Sequence, residues 1–290
     1  GPTYQDKIGR VALRVGDMLS PDFKEKYHDL VQRHKTILDY YDFGLQDLPT
    51  LEADFFEAVT FFKSLRLIET EFEVNAAIKS GKKVLAEGAQ GSLLDIDFGS
   101  YPFVTSSSTM AAGACTGLGV PPSSIGEVFG IFKAYCTRVG SGPFPTELFD
   151  EDGEQMRKDG NEFGSTTGRA RRCGWIDLPA LKYSIMVNGV TQLFMMKGDV
   201  LNGFENIKIC TEYKLGDGNT SDQQYLNGTT EGIQPVYETM KGWNCSLEGI
   251  TKYEDFPEEL KAYVTFLEKE LQVPIKMVSV GPDRKQTILK

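Results

Sequence analysis

Three groups of residues have the types and spacing to do chemistry. Gly164-Ser165-Thr166-Thr167-Gly168-Arg169-Ala170-Arg171-Arg172 sets three arginines in four positions beside paired threonines. Guanidinium groups grip carboxylate or phosphate through parallel N–H bonds, and threonine hydroxyls with glycine-spaced N–H groups complete an anion cradle. A solvated basic loop paired with surface acids is the competing explanation. Lys197-Gly198-Asp199 closes an apolar run. A carboxylate there can accept the N1–H and 2-amino hydrogens of guanine together while the lysine stem covers the ring; adenine has no such donor pair. Glu87-Gly88-Ala89-Gln90-Gly91-Ser92 flanks a glutamine with glycines, so that its amide could donate to a carbonyl or a developing oxyanion. A strand-ending turn would explain the same residues. The hydroxyl row Tyr101 to Thr109 could bind phosphate oxygens or cap a helix, and Val280-Gly281-Pro282 supplies a further turn.

Composition limits what these groups can serve. With 41 acidic against 31 basic residues the formal charge is −10, which repels a phosphate backbone and argues against nucleic-acid binding. The two histidines, His28 and His34, fall on different faces of one expected helix, which disfavours a zinc site or a Ser-His-Asp triad. Five cysteines at long intervals, with no C-x-x-C pair, suit a reducing compartment and hence the cytoplasm. The longest uncharged stretch, Phe98 to Gly126, is rich in Ser, Thr, Gly and Pro and cannot span a membrane. No basic-then-apolar leader opens the chain, which suggests no secretion; the start at Gly1-Pro2-Thr3-Tyr4 suggests a fragment or processed form. A standard phosphate loop, G-x-x-x-x-G-K-[ST], does not occur: Gly81-Lys82-Lys83 lacks the earlier glycine and the hydroxyl.

Elements must carry these groups to one place. Ser20-Pro21 predicts a helix start, with a capping hydroxyl and proline at the first helical position. Leu51, Phe55, Phe56, Val59, Phe62 and Leu65 recur at three and four, predicting one helix over about Leu51 to Lys79 with its aromatic stripe in a core. Short β-rich runs follow: Lys83 to Ala86, Val128 to Tyr135, Thr191 to Met196, Ile207 to Tyr213 and Ile275 to Val280. From Pro257 an amphipathic helix buries Leu260, Tyr263, Val264, Leu267 and Leu271. Asp217 to Gly228 reads as a polar loop or hairpin. The alternation predicts an α/β fold with a largely parallel sheet flanked by helices, whose ligands collect at the carboxyl ends of the strands. No linker divides the chain, so residues 1–290 are expected to form one domain.

Taken together, the motifs resemble those of the adenylosuccinate synthetases from Gly1 to Thr287. The matching segments are Gly1 to Lys7, Ala86 to Gly91, Tyr101 to Ser107, Thr137-Arg138-Val139-Gly140-Ser141-Gly142-Pro143-Phe144-Pro145-Thr146-Glu147-Leu148, the Thr-Thr-Gly-Arg loop, and Gly281 to Arg284. The chain differs from the usual family pattern at Met196, Gly198 and Ser108. The resemblance implies a P-loop-NTPase-like architecture with its N-terminal part absent, and with it the phosphate loop, principal acid and base, and magnesium ligands. It implies ligation of IMP with L-aspartate, with GTP as co-substrate and magnesium as cofactor, by a chain inactive alone. GTP phosphorylates the 6-oxygen of IMP and the aspartate amine displaces the phosphate.

By position, Gln90 would support catalysis at the 6-oxygen, Thr105 would hold the IMP phosphate, and Val139 would face the ribose. Ser165, Thr166, Thr167, Gly168, Arg169 and Arg171 would form a mobile aspartate loop, with Arg169 also touching IMP and Arg171 reaching GTP. Lys197, Gly198, Asp199, Ser279, Val280 and Gly281 would surround guanine. Arg10 would reach a partner subunit's IMP in a homodimer. A non-catalytic nucleotide-binding or dimerisation module is the alternative.

Overall fold

The computed structural model describes residues 1–44, 47–164, 168–223 and 230–290. The expected aspartate-loop residues Ser165, Thr166 and Thr167 lie outside the described residues, as does the far part of the Asp217 to Gly228 segment. The chain divides into two compact units, Gly1–Val84 and Leu85–Lys290.

The first unit holds helices α1 (Pro2–Ile8), α2 (Phe23–Tyr40), α3 (Leu48–Lys63) and α4 (Thr70–Lys79). The helix after Ser20-Pro21 begins later than its sequence signal. Asp22 is the N-cap, without a side-chain cap bond, and the Ser20 hydroxyl hydrogen-bonds Asp22 instead. Pro21 therefore stands in the preceding turn, where the Ser20 carbonyl accepts the Phe23 N–H at 3.2 Å. The single helix expected over Leu51 to Lys79 is two, because the chain leaves helical geometry at Ser64 and re-enters it at Thr70. Only part of its aromatic stripe is core. Val59 is buried with Met18 and Phe23, and Phe56 packs against them, while Tyr27 stacks on Phe55 with centroids 4.9 Å apart. Leu51, Phe62 and Leu65 are exposed. The two histidines do diverge: His34 Nε2 lies 2.8 Å from Asp6 Oδ2 and His28 Nδ1 3.6 Å from Glu52 Oε1.

The second unit contains α5 (Ala112–Leu118), β1 (Phe129–Lys133), β2 (Cys136–Arg138), α6 (Glu151–Asp159), β3 (Arg172–Gly174), β4 (Ile176–Asp177), α7 (Leu178–Asn188), β5 (Gln192–Met196), β6 (Asn206–Lys214), β7 (Thr220–Ser221), β8 (Gln234–Lys241), α8 (Glu258–Leu271), β9 (Ile275–Ser279) and β10 (Thr287–Leu289). This is the α/β architecture expected, with mixed sheets flanked by helices. One sheet runs β1-β5-β9-β10. Its β1–β5 and β5–β9 pairs are parallel, and β10 is antiparallel to β9. A second sheet is built on β6, parallel to β4 but antiparallel to β7 and β8, and β2 pairs antiparallel with β3. Parallel pairing in this sheet thus joins β1, β5 and β9, whose carboxyl ends carry Lys133, Met196 and Ser279. The expected strand Lys83 to Ala86 does not form, and 82–89 has no regular structure. Val84 and Leu85 are exposed, so the apolar pair that signalled a strand finds no sheet to complete.

Helix α7 shows how sequence fixes a boundary here. The Asp177 carboxylate accepts the Ala180 N–H, proline sits in the first turn, and Gly189 closes the helix in the left-handed region at φ 61°. Helix α8 buries Leu260, Tyr263, Val264, Leu267 and Leu271, as its periodicity predicts. Each such side chain contributes about 1.5–3 kcal/mol on leaving water. Tyr263 also donates its hydroxyl to the Ala134 carbonyl at 2.8 Å, pinning the residue just beyond β1 and thereby the end of the strand that carries Lys133.

Candidate functional site

The parallel strands β1, β5 and β9 deliver Lys133, Lys197 and Ser279 to the same edge of their sheet, because parallel neighbours end together. Pairing continues past the strand ends, where the Ala134 N–H donates to the Met196 carbonyl at 2.9 Å. Lys197 then turns the chain in the left-handed region at φ 61°, and a short 3-10 turn carries Gly198 and Asp199. Gly198 lies so close to β9 that a Cβ there would stand 3.3 Å from the Ser279 carbonyl oxygen. The Ser279 hydroxyl donates to the Gly281 carbonyl at 2.8 Å, which shapes the turn through Val280. Thus Lys197, Gly198 and Asp199 are brought against Ser279, Val280 and Gly281. Asp199 Oδ1 is buried with no hydrogen-bond partner among the described residues. Burial pushes this carboxyl above its ordinary range, opposed by a hydrogen bond from its own backbone N–H and by the charge of Lys197.

One acid here escaped the sequence reading. Glu162 is fully buried and receives the Lys133 and Lys197 ammonium groups on Oε1, each at 2.8 Å, and Arg171 Nη1 on Oε2 at 2.6 Å. The Tyr135 hydroxyl donates to Oε1 at 2.5 Å, and Lys197 also donates to the Gly160 carbonyl at 2.6 Å. Burial by itself would raise the Glu162 carboxyl; hydrogen bonds from Lys133, Lys197 and Tyr135 overcome it and hold the group at about 2. Burial likewise pushes Lys133 down, against the pull of Glu162. Three cations around one carboxylate leave a local excess of positive charge in an acidic chain. The signal was a lone glutamate between the end of α6 and the arginine run, with no periodicity to mark it as buried.

Backbone pairing joins the two ends of the arginine loop. Phe163 bridges Ala170, and Gly164 N–H donates to the Arg169 carbonyl at 2.8 Å. Gly168 adopts φ 62°, a conformation favoured by glycine. The three arginines do not act alike. Arg171 is held by Glu162. A terminal nitrogen of Arg169 lies 4.0 Å from where a Cβ on Gly140 would sit, next to exposed Val139. Arg172 is committed to the scaffold: its fork meets the Glu147 carboxylate, and Nη1 donates to the Gly140 and Gly142 carbonyls at 3.1 and 2.9 Å. This corrects the expectation that all three form one anion grip.

A second network holds the hydroxyl-rich segment. Asp95, almost wholly buried, accepts N–H bonds from Asp97, Phe98 and Thr109. Arg138 reaches across to the Ser100 hydroxyl at 3.0 Å and the Phe103 carbonyl at 3.1 Å. Thr105, half-buried, accepts the Ser107 hydroxyl at 3.2 Å, so the row is locally bonded yet tied through Arg138 to the turn beside Arg169. Thr109 donates to the Gly91 carbonyl at 2.8 Å, attaching the segment that carries Gln90. Gln90 itself is exposed in the left-handed region at φ 63°. Arg10 lies in the first unit, exposed, at φ 61°. Among the described residues no three or more His, Cys, Asp or Glu side chains converge to hold a metal.

Comparison with known proteins gives the chain a family. The adenylosuccinate synthetase family model matches residues 1–288. The chain belongs to the adenylosuccinate synthetase family. Its members are ligases of purine biosynthesis. The chain is 59% identical to adenylosuccinate synthetase of Cytophaga hutchinsonii, over all of this chain and 67% of that protein. It is 61% identical to that of Flavobacterium johnsoniae, over all of this chain and 69% of the relative. The fully ligated adenylosuccinate synthetase structure from Plasmodium falciparum superposes with a TM-score of 0.92 at 36% identity, covering the whole of this chain and 69% of that one. No helix among the described residues is long and apolar enough to cross a membrane.

Proposed function

We propose that the chain serves the GTP-dependent ligation of IMP with L-aspartate to adenylosuccinate. Family membership supports the reaction. The observation that carries the choice of nucleotide is Asp199, whose buried, unpartnered Oδ1 sits beside Lys197 and the Ser279 to Gly281 turn. A buried carboxylate oxygen without a donor is costly unless a ligand supplies one, and guanine presents two adjacent N–H donors.

Arg171 is proposed to meet GTP and aspartate, Arg169 to meet aspartate and IMP, and Ser165, Thr166, Thr167 and Gly168 to contact aspartate. Thr105 is proposed to bind the IMP phosphate, Val139 to face its ribose, and Gln90 to donate its amide to the 6-oxygen as phosphoryl transfer proceeds. Positioning and charge stabilisation dominate such a step, which suits a site where one buried acid, Glu162, holds Lys133, Lys197 and Arg171. Arg10 is proposed to act across a homodimer interface, and the cysteine pattern favours a cytoplasmic setting. The 290 residues contain no G-x-x-x-x-G-K-[ST] run, so none of them is assigned as the triphosphate cradle.

The test is product formation by the intact protein supplied with IMP, aspartate, GTP and magnesium. Adenylosuccinate and GDP should appear one for one. Equal rates with ATP in place of GTP would contradict the guanine assignment.

A further inference from the structure

Lys197 of the base site and Arg171 of the aspartate loop come from segments far apart in sequence, yet they share one counter-ion. Arg171 binds Oε2 of Glu162 and Lys197 binds Oε1. Lys133, on the end of β1, occupies Oε1 as well and braces itself on the Thr137 hydroxyl at 2.9 Å. Glu162 is fully buried while Arg171 and Lys197 are each about a third exposed, so the acid is inside and the two cations face outward from it. It sits next to Phe163, the residue whose bridge to Ala170 closes the base of the arginine loop, and its carbonyl accepts the Arg171 N–H at 2.9 Å. Backbone and side chain of one residue therefore fix both the root of the loop and the position of Lys197.

We infer that Glu162 is a positioning residue that energetically couples the aspartate loop to the guanine site, by holding Arg171 and Lys197 on opposite oxygens of one buried carboxylate. This rests on the assignment of Lys197 and Asp199 to guanine proposed above. Displacement of Arg171 toward an incoming anion leaves Oε2 short of a donor and strengthens the hold of Oε1 on the two lysines. The base site thereby senses whether Arg171 is engaged, and linkage requires Arg171 to sense the base equally. Groups sharing one ion-pair network are the ones expected to couple.

Guanosine is the decisive probe, because it lacks the phosphates that Arg171 could touch directly. Its affinity for the full chain is measured by calorimetry in the wild type, Glu162→Gln, Arg171→Ala and the double variant, alongside KM for aspartate and kcat in the intact protein. Glu162→Gln should weaken guanosine binding and raise KM for aspartate, each by roughly 5- to 10-fold, with a smaller change in kcat; Glu162→Asp should recover part of both. Arg171→Ala should alter guanosine affinity in the wild-type background and have no further effect in Glu162→Gln. Additive effects, or a guanosine affinity indifferent to Arg171, would overturn the coupling while leaving the guanine site intact. Should Glu162→Gln fail to fold, Arg171→Ala and Arg171→Lys decide the matter alone, since unchanged guanosine binding in both contradicts it. A wild-type protein that binds no guanosine at all would instead remove the guanine assignment and the inference together.

Discussion

Arg172 and Glu147 form a forked ion pair, with Nε 2.8 Å from Oε1, while the same guanidinium clasps the Gly140 and Gly142 carbonyls. One arginine of the basic run is thus spent on joining β3 to the glycine turn after β2. That turn is also where Arg138 reaches the hydroxyl-rich segment, so Arg172 holds the frame on which Arg169 and Arg171 are presented.

Arg172→Lys keeps the charge and loses the fork. It should destabilise the protein by about 1–3 kcal/mol, the range for leaving buried or charged hydrogen-bond partners unsatisfied. The shift in urea midpoint measures this, and a midpoint within error of wild type would show that the fork carries no weight.

Arg169→Ala tests ligand contact rather than framework. Binding of IMP or aspartate should weaken by roughly 2–5 kcal/mol, as for truncating one member of a buried charged pair, with little change in thermal midpoint. Titration calorimetry reads both affinities; unchanged values would return Arg169 to the role of surface charge.

Glu162 governs acid stability. Its folded carboxyl titrates at about 2, below the ordinary 4.5, so its contribution is complete above pH 4.5 and is lost as pH falls through about 2. Wild type should lose on the order of a few kcal/mol across that window. Glu162→Gln should be less stable near neutrality and should show a shallower acid slope, measurable by urea unfolding as pH is lowered from above 4.5 to about 2.

Asp177 behaves oppositely. Burial raises its carboxyl to about 6 from 3.8, although the Tyr213 hydroxyl and the Ala180 N–H favour the ionised form. The stability it adds is complete below pH 3.8 and is lost as pH rises through about 6. Asp177→Asn retains an N-cap oxygen and should flatten stability across that interval, as followed by chemical denaturation at each pH. An unaltered slope would mean that Asp177 does not titrate there.

Much of this arrangement is legible in sequence, for definite reasons. Strands β5, β6 and β9 and helix α8 each pair periodicity with a buried face, so local pattern and tertiary environment agree; β1 buries only Phe132 of its apolar residues, with Phe129 and Ile131 exposed. Lys197, Asp199 and Ser279 followed because parallel strands end together. The pattern at Lys83 to Ala86 misled because an apolar pair specifies a strand only where an edge awaits it. The stripe from Leu51 to Leu65 misled because helical spacing states which residues share a face without stating that the face is covered. Glu162 was invisible because its significance lies in partners 9 to 35 positions away, and no local signal separates it from an exposed acid.

If Asp199 reads guanine at the carboxyl edge of the parallel strands, titration of GDP and ADP into the folded protein will separate the two nucleotides. Asp199 and Lys197 should favour GDP by at least about tenfold, on the order expected when a polar site rejects a ligand that cannot satisfy it, and Asp199→Asn should erase the preference. Equal affinity for GDP and ADP in the wild type would show that Asp199 does not read the base.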